Sequence, residues 1–457
     1  MVGPKMTRIL VVSTDLVGSQ MAGPGIRALE LARALARAGN QATLAVPLEP
    51  IADPLVRIVG YRREAGALGD LLKEADLLVG QGFVFEAQPE LLASDLPIAI
   101  DLYDPLILES LDLYARADHA TATAAAGRYL AMTQAQLRRG DFFFCATETQ
   151  RDYWLGALSL AGRLTPELVA QQDRELRGLI DLVPSGITAE PPKRGTPVLR
   201  GVHPAIGADS VVLVWAGGLW DWFDPQLVVR AVAALHDECP HLRLCFFAGA
   251  RPNPDGPPIE PRNIATVRAL AAELDVLDRA VILLDRWVPY NERGTYLAEA
   301  DIGVSAHLPG VETRFAFRTR LLDYLWARLP LIGSSGDSLG MQIAAAGGGM
   351  LVSPGDETGW QAAIRQLYHD PARREACRSA LEALAHQYHW DTVVQPLARF
   401  CAAPARIAPP AVDLAARLAE LEAALAEREH YVRHVEQQYQ ALANRPPGLL
   451  ARLLGQK

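Results

Sequence analysis

Val211-Val212-Leu213-Val214-Trp215-Ala216-Gly217-Gly218-Leu219-Trp220-Asp221-Trp222-Phe223-Asp224-Pro225 reads as a buried strand, a glycine turn and the start of a helix. The strand-like run shows no in-out alternation, the pattern of a parallel strand covered on both faces. Paired glycines after it allow the backbone to come close to a ligand. Asp224-Pro225 fits a helix start, because proline suits the first helical turn. The three aromatics of this loop must pack or stack rather than face water. The same unit stands at the beginning of the chain, where Arg8–Val12 is followed by a glycine loop and an amphipathic helix from about 26 to 38, closed by Gly39-Asn40. The fold is therefore decided twice over, once in each half.

Working outward, further strands are predicted at 42–46, 76–79, 97–101 and 141–145 in the first half, and at 243–248, 281–284, 302–305, 330–332 and 350–352 in the second. Helix-period segments separate them. Strand and helix in regular alternation imply doubly wound parallel sheets, so the expected fold class is α/β, with two Rossmann-like domains facing a cleft. The first spans 1–190 and the second 196–385, joined by Glu190-Pro191-Pro192-Lys193-Arg194-Gly195. In such a pair the site lies at the carboxyl ends of both sheets. After Ile407-Ala408-Pro409-Pro410 comes a third segment, 411–445, in which Leu414, Leu418, Leu421, Leu425, Val432, Val435, Tyr439 and Leu442 keep 4-3 spacing interrupted only by Arg428. That spacing predicts a coiled-coil seam and a homo-oligomer, or a single helix against the body. The tail, 446–457, carries Arg452 and Lys457, a thin basis for contact with an anionic membrane surface.

Composition narrows the class. The chain has 457 residues, 50% of them apolar and 21% charged, which is globular. A net charge of −9 argues against nucleic acid as partner. Cys145, Cys239, Cys245, Cys377 and Cys401 are scattered, odd in number and form no C-x-x-C pair, so neither a disulfide framework nor a zinc site is expected. No apolar stretch approaches the roughly 20 residues that cross a bilayer, and Met1-Val2-Gly3-Pro4-Lys5 runs straight into a strand. The expectation is a reduced, cytoplasmic protein, membrane-associated at most.

Four loops hold the candidate site residues. Gly23, Gly25 and Arg27 follow the first strand, where N–H groups at a helix start can approach a phosphate or sugar hydroxyl. Asp101 and Asp104 stand at a strand's carboxyl end, suited to accept a proton or to hold sugar hydroxyls. Gly217, Gly218 and Trp220 form the loop quoted first. The densest group is Glu312-Thr313-Arg314-Phe315-Ala316-Phe317-Arg318-Thr319-Arg320-Leu321-Leu322-Asp323-Tyr324-Leu325. Arg314, Arg318 and Arg320 lie at a helix start, where cations oppose the helix dipole and so call for an anion. A diphosphate fits, since guanidinium forks and helix N–H groups bind it together. Asp323, one turn on, is placed to hold the ribose hydroxyls, or else to pair with Arg320 on the surface.

On these residues the chain, over roughly 7–403, resembles the GT-B glycosyltransferases, in particular glycosyltransferase family four. The family's segment Phe-Pro-x-Lys-Leu-x-Glu-Tyr-Leu is similar to Phe317-Arg318-Thr319-Arg320-Leu321-Leu322-Asp323-Tyr324-Leu325, and its Gly-x-Pro-Val-Val to Leu329-Pro330-Leu331-Ile332. The resemblance implies that Arg320 takes the family's lysine position, that Asp323 takes its ribose-binding glutamate, and that Arg286-Trp287-Val288-Pro289 holds the nucleotide base. Val183-Pro184-Ser185-Gly186-Ile187 resembles the interdomain hinge, and 386–403 the helix that crosses back to the first domain. Gly218 and Phe223 stand where the family has an arginine and a lysine, and Phe315 where it has the earlier glutamate of its spaced pair, which Glu312 replaces only if the loop is reshaped.

The expected activity is glycosyl transfer from a nucleoside diphosphate sugar, used as co-substrate, to a hydroxyl-bearing acceptor: a glycan, a lipid-linked molecule or a small molecule. Resident cofactor and metal are expected to be absent. The family likeness leans towards retention of configuration, in polysaccharide or glycoconjugate synthesis. Two alternatives stay open: a nucleotide-sugar epimerase of the same architecture, and a catalytically degenerate sugar-nucleotide-binding scaffold.

Overall fold

The computed structural model describes residues 6–170, 173–250, 252, 261–407 and 414–443. The chain up to Ile407 forms one compact unit, and the Leu414–Ala443 helix belongs to a second. The tail expected to meet a membrane lies outside the described residues.

The large unit contains two parallel sheets. In the first, β1 (Arg8–Val12), β2 (Gln41–Pro47), β3 (Arg57–Tyr61), β4 (Leu77–Gln81), β5 (Ile98–Asp101), β6 (Phe142–Cys145) and β7 (Ile180–Leu182) run in the order β3-β2-β1-β4-β5-β6-β7. In the second, β8 (Val211–Trp215), β9 (Leu242–Phe247), β10 (Val281–Leu284), β11 (Ile302–Ser305), β12 (Leu331–Ser334) and β13 (Gly349–Val352) run β10-β9-β8-β11-β12-β13. The order reverses beside β1 in one sheet and beside β8 in the other. Loops after those strands, and after β4 and β11, therefore leave the sheet in opposite directions and open a crevice at its carboxyl end. Central strands are buried on both faces, as their unbroken apolar runs require: Val11 sits between Leu44 and Val79 in register, and all three are buried.

Differences from the sequence-based expectation lie at edges and ends. β3 and β7 are extra strands, one half-exposed with a glycine in it, the other only three residues long. The periodicity signal needs a longer run than either offers. The first helix starts at Gly23 rather than near 26, because Pro24 is accommodated in its opening turn.

After the second sheet the chain returns to the first. Trp390, Val393, Val394, Leu397 and Cys401 complete the apolar core formed by Ile9, Val11, Leu29, Leu35, Phe142 and Phe144. The Val183-Pro184-Ser185-Gly186-Ile187 linker is clasped on the way, with Ile187 N–H donating to the Tyr388 carbonyl (2.7 Å) and Trp390 N–H donating to that of Ile187 (3.1 Å). A Cβ on Gly186 would lie 2.8 Å from the Trp390 ring and 3.0 Å from its Cα. Gly186→Val is thus expected to destabilise the protein by about 1–3 kcal/mol through overpacking, read as a lower urea midpoint; an unchanged midpoint would show that this crossing is loose.

Candidate donor site at the carboxyl end of the second sheet

Arg320 lies in the first turn of the Thr319–Trp326 helix and points into the protein, 8% exposed. Its Nε donates to the Ala216 carbonyl (2.6 Å), Nη2 to the Gly218 carbonyl, and Nη1 approaches the Ser305 hydroxyl at 3.4 Å. The guanidinium lies 4.5 Å from the Trp215 ring centre and 4.3 Å from that of Phe223. Among the described residues it has no carboxylate partner. Burial pushes its pKa down to about 10, so the group stays charged at neutral pH. A buried cation compensated only by carbonyl dipoles and ring faces favours an arriving anion. By gripping carbonyls on both sides of Gly217 it also fixes the glycine turn, where Gly217 adopts φ +108°, a left-handed conformation that a side chain disfavours. Among the described residues nothing accepts from the N–H groups of Gly217, Gly218 or Leu219. Adjacent free N–H groups beside a fixed cation make an anion cradle.

Arg318 and Glu312 depart from the expected roles. They form a bidentate ion pair at 2.9 and 2.6 Å, with side chains 7% and 2% exposed, and Arg318 adds the Thr313 hydroxyl. With its fork committed to Glu312, Arg318 is not free to take a diphosphate. Glu312 likewise spends its charge on Arg318, so it does not stand in for the family's earlier glutamate. Behind this pair His307, 1% exposed, has its pKa pushed down to about 4, mainly by burial and then by the Arg318 charge. It is a neutral imidazole whose Nδ1 lies 3.4 Å from the Leu308 carbonyl. Arg314 is exposed, lies over the Phe315 ring at 5.6 Å, and has no ion pair among the described residues. It remains available as a second cation.

Asp323 does not pair with Arg320. One oxygen accepts from Arg293 Nε at 3.1 Å, while the other has no partner among the described residues. Arg293 itself is held between the Tyr290 and Trp326 rings, at 3.7 and 4.6 Å. Trp287 and Val288 are half-buried beyond β10, and the buried Trp287 Nε1 lacks a partner among the described residues. Trp220 is half-buried, stacked on Trp222 at 5.8 Å and 18°, with both rings against the second core. Its packing suffices to explain it.

On the first sheet, Arg27 and Asp101 face each other rather than a ligand. Arg27 Nε and Nη2 donate to the two Asp101 oxygens at 2.5 and 2.9 Å, and the residues are 2% and 5% exposed. Arg27 also donates to the Val183 carbonyl (2.7 Å) and the Ser185 hydroxyl (3.2 Å). The pair therefore ties the first helix and β5 to the hinge. Asp101, which also accepts from Tyr103 N–H, has no oxygen left to act as a base. Gly23 and Gly25 belong to the first helical turn, and among the described residues their N–H groups have no partner.

Asp104 is half-buried and hydrogen-bonds Glu109 of the Leu106–Leu113 helix. Burial first, then the charges of Asp104 and Glu312, against the opposing pull of Arg318, hold the Glu109 carboxyl well above its ordinary 4.5. Because the folded pKa is raised, the contribution of Glu109 to stability is fully present below about pH 4.5 and is lost as pH rises through the folded value. Glu109→Gln keeps a donor and removes the titration. We expect it to leave the melting temperature unchanged near pH 4.5 and to raise it at pH 8; a parallel loss at both pH values would rule out a raised Glu109 pKa.

Several contacts cross between the sheets' domains among the described residues. Gln150 Nε2 donates to the carbonyls of both Tyr103 and Phe315, at 2.7 Å each, and Tyr153 meets the Phe315 ring at 5.2 Å. Tyr290 N–H donates to the Ser19 carbonyl at 2.9 Å. Sequence reasoning missed Gln150, Tyr290 and Arg293. Gln150 had a local signal, as the fourth residue of Thr147-Glu148-Thr149-Gln150 at a helix start, where Thr147 caps its N–H. Its reach to Phe315 is a tertiary fact with no trace in the sequence.

Against known proteins, residues 210–370 match the family model described as glycosyl transferases group 1. A D-inositol 3-phosphate glycosyltransferase of Thermobispora bispora is 27% identical over 246 residues, covering 50% of this chain and 54% of the relative. The chain thus aligns with about half the length of the curated relatives it matches. Among solved structures, sucrose-phosphate synthase of Thermosynechococcus elongatus superposes with a TM-score of 0.61 at 15% identity, over 86% of this chain and 98% of that one. Anabaena HepE in complex with UDP and glucose gives 0.57 at 15% identity, over 86% and 98%. Residues 210–370 of this chain are accordingly similar to the glycosyl transferases group 1 model, and the two-sheet architecture around them is the GT-B fold of those solved structures.

Proposed function

We propose that the protein is a glycosyltransferase that binds a nucleoside diphosphate sugar at the carboxyl end of the second sheet and passes the sugar to a hydroxyl-bearing acceptor. The observation that carries this reading is Arg320, a buried guanidinium with no carboxylate partner among the described residues, beneath the glycine turn. The diphosphate would lie on the free N–H groups of Gly217 and Gly218, with Arg320 below and Arg314 at the rim. Trp287 and Val288 would hold the base by their backbone. The uncommitted oxygen of Asp323 would take the ribose, with Arg293 orienting the carboxylate. Charge builds on the leaving diphosphate in the transition state, and fixed N–H dipoles and cations stabilise it without reorganising. In this proposal those groups act where other enzymes use a divalent ion, and configuration is retained. Asp104, beside Glu109, would orient the acceptor hydroxyl.

A binding scaffold without turnover is the second reading. It is favoured by Phe315, which stands at the family's earlier glutamate and is docked on Gln150 and Tyr153. Incubation with a panel of nucleotide sugars, UDP-sugars first because HepE was solved with UDP, separates the readings. Acceptors should include a phosphorylated cyclitol, prompted by the name of the Thermobispora relative. Diphosphate release only with acceptor, undiminished by EDTA, is the expected result. Tight binding without release would establish the scaffold, and an isomerised donor an epimerase.

A further inference from the structure

We propose that the Leu414–Ala443 helix pairs with the same helix of a second copy of this chain as a parallel two-stranded coiled coil. The helix is 30 residues long, and every residue from Arg417 to Leu442 is exposed. Its apolar side chains keep one seam: Leu418, Leu425, Val432 and Tyr439 at a positions, with Leu421, Val435 and Leu442 at d positions. These residues are 43–73% exposed, an arrangement that water disfavours and a second helix relieves. A seven-residue repeat across more than three heptads, broken only at Arg428, is what a supercoil needs, whereas a helix covering a globular body follows 3.6.

Charge then selects the orientation. The positions flanking the seam are Glu422, Glu429 and Glu436 on one side and Arg417, Ala424, Tyr431 and Gln438 on the other. In a parallel pair each flank meets the opposite flank, so Arg417 meets the partner's Glu422. Arg417 now rests on Glu420 at 2.9 Å, an exposed pair given up at little cost. In a fully overlapped antiparallel pair like flanks meet, placing Glu422 against the partner's Glu436 and Glu429 against the partner's Glu429. Like charges so placed disfavour that arrangement. The single interruption, Arg428 at a d position, supports the same answer. Its apolar stem can cover the seam while the guanidinium reaches the partner's Glu429. A third strand would put three such cations around one axis, so the charged layer limits the assembly to two.

The test uses the full chain. Sedimentation equilibrium at micromolar concentration should return twice the 49.6 kDa chain mass, and Leu421→Asp combined with Leu425→Asp should return a single mass with an unchanged near-ultraviolet spectrum. Orientation is read with cysteine at the seam, since all five native cysteines are buried. Leu421→Cys alone should oxidise to a covalent dimer. A monomeric wild-type chain, a trimer, or a double variant that stays dimeric overturns the proposal. So does cross-linking that appears only when Leu421→Cys and Tyr439→Cys copies are mixed, the signature of the antiparallel pair.

Discussion

Asp101→Ala is expected to cost the large unit about 3–5 kcal/mol, because it strands the Arg27 guanidinium in a site 2% exposed. Both Asp101 oxygens are engaged by Arg27 at 2.5 and 2.9 Å, and Arg27 in turn holds the Val183 carbonyl and Ser185 hydroxyl of the hinge. Removing the carboxylate leaves a desolvated charge that cannot lose its proton, so the protein must admit water or give up packing. The check is urea unfolding followed by tryptophan fluorescence. The double change Arg27→Met with Asp101→Leu should recover much of the loss, since it removes both desolvated charges together. A single variant as stable as the wild type would mean that the pair contributes nothing, and that Asp101 is free for other work after all.

Arg320→Met should leave the fold within a few degrees of its normal melting point while weakening nucleoside diphosphate binding roughly 10- to 150-fold, about 1.4–3 kcal/mol. Two effects on stability oppose each other. The carbonyls of Ala216 and Gly218 lose their donor, at about 1–3 kcal/mol, but a buried cation without a carboxylate partner disappears as well. Binding has no such offset, because the anion loses the charge beneath it and the glycine turn loses the clamp that fixes it. Titration calorimetry with UDP measures the affinity, and Arg320→Lys should fall between the two, keeping the charge without the fork. Equal affinity in the methionine variant would falsify the donor-site assignment. Because the measurement concerns binding, it separates a failed site from a protein that binds and does not turn over.

Much of the architecture is legible in the sequence. Unbroken apolar runs such as Val211–Trp215 report burial on both faces, and their alternation with helical periods admits few arrangements other than doubly wound parallel sheets. The position of Arg320 near a helix start was readable too, because a cation there opposes the helix dipole and requires a local reason. What a linear reading lost was short or weakly patterned, such as the half-exposed edge β3 and the three-residue β7.

Pairing was decided only by the tertiary structure. Asp101 looked like a free acid and Arg27 like a loop cation, yet 74 positions apart in the chain they neutralise each other. Arg314, Arg318 and Arg320 read as one anion-binding group, with Glu312 beside them as a stand-in for the family's glutamate. Folding spends Glu312 on Arg318, leaves Arg314 exposed and buries Arg320 against carbonyls. A charge's role depends on what desolvates it and what compensates it within a few ångströms, and those neighbours come from other strands, other helices and the other domain. Burial and backbone pattern are local properties that a sequence records. Compensation is a contact property, and only the closed fold supplies it.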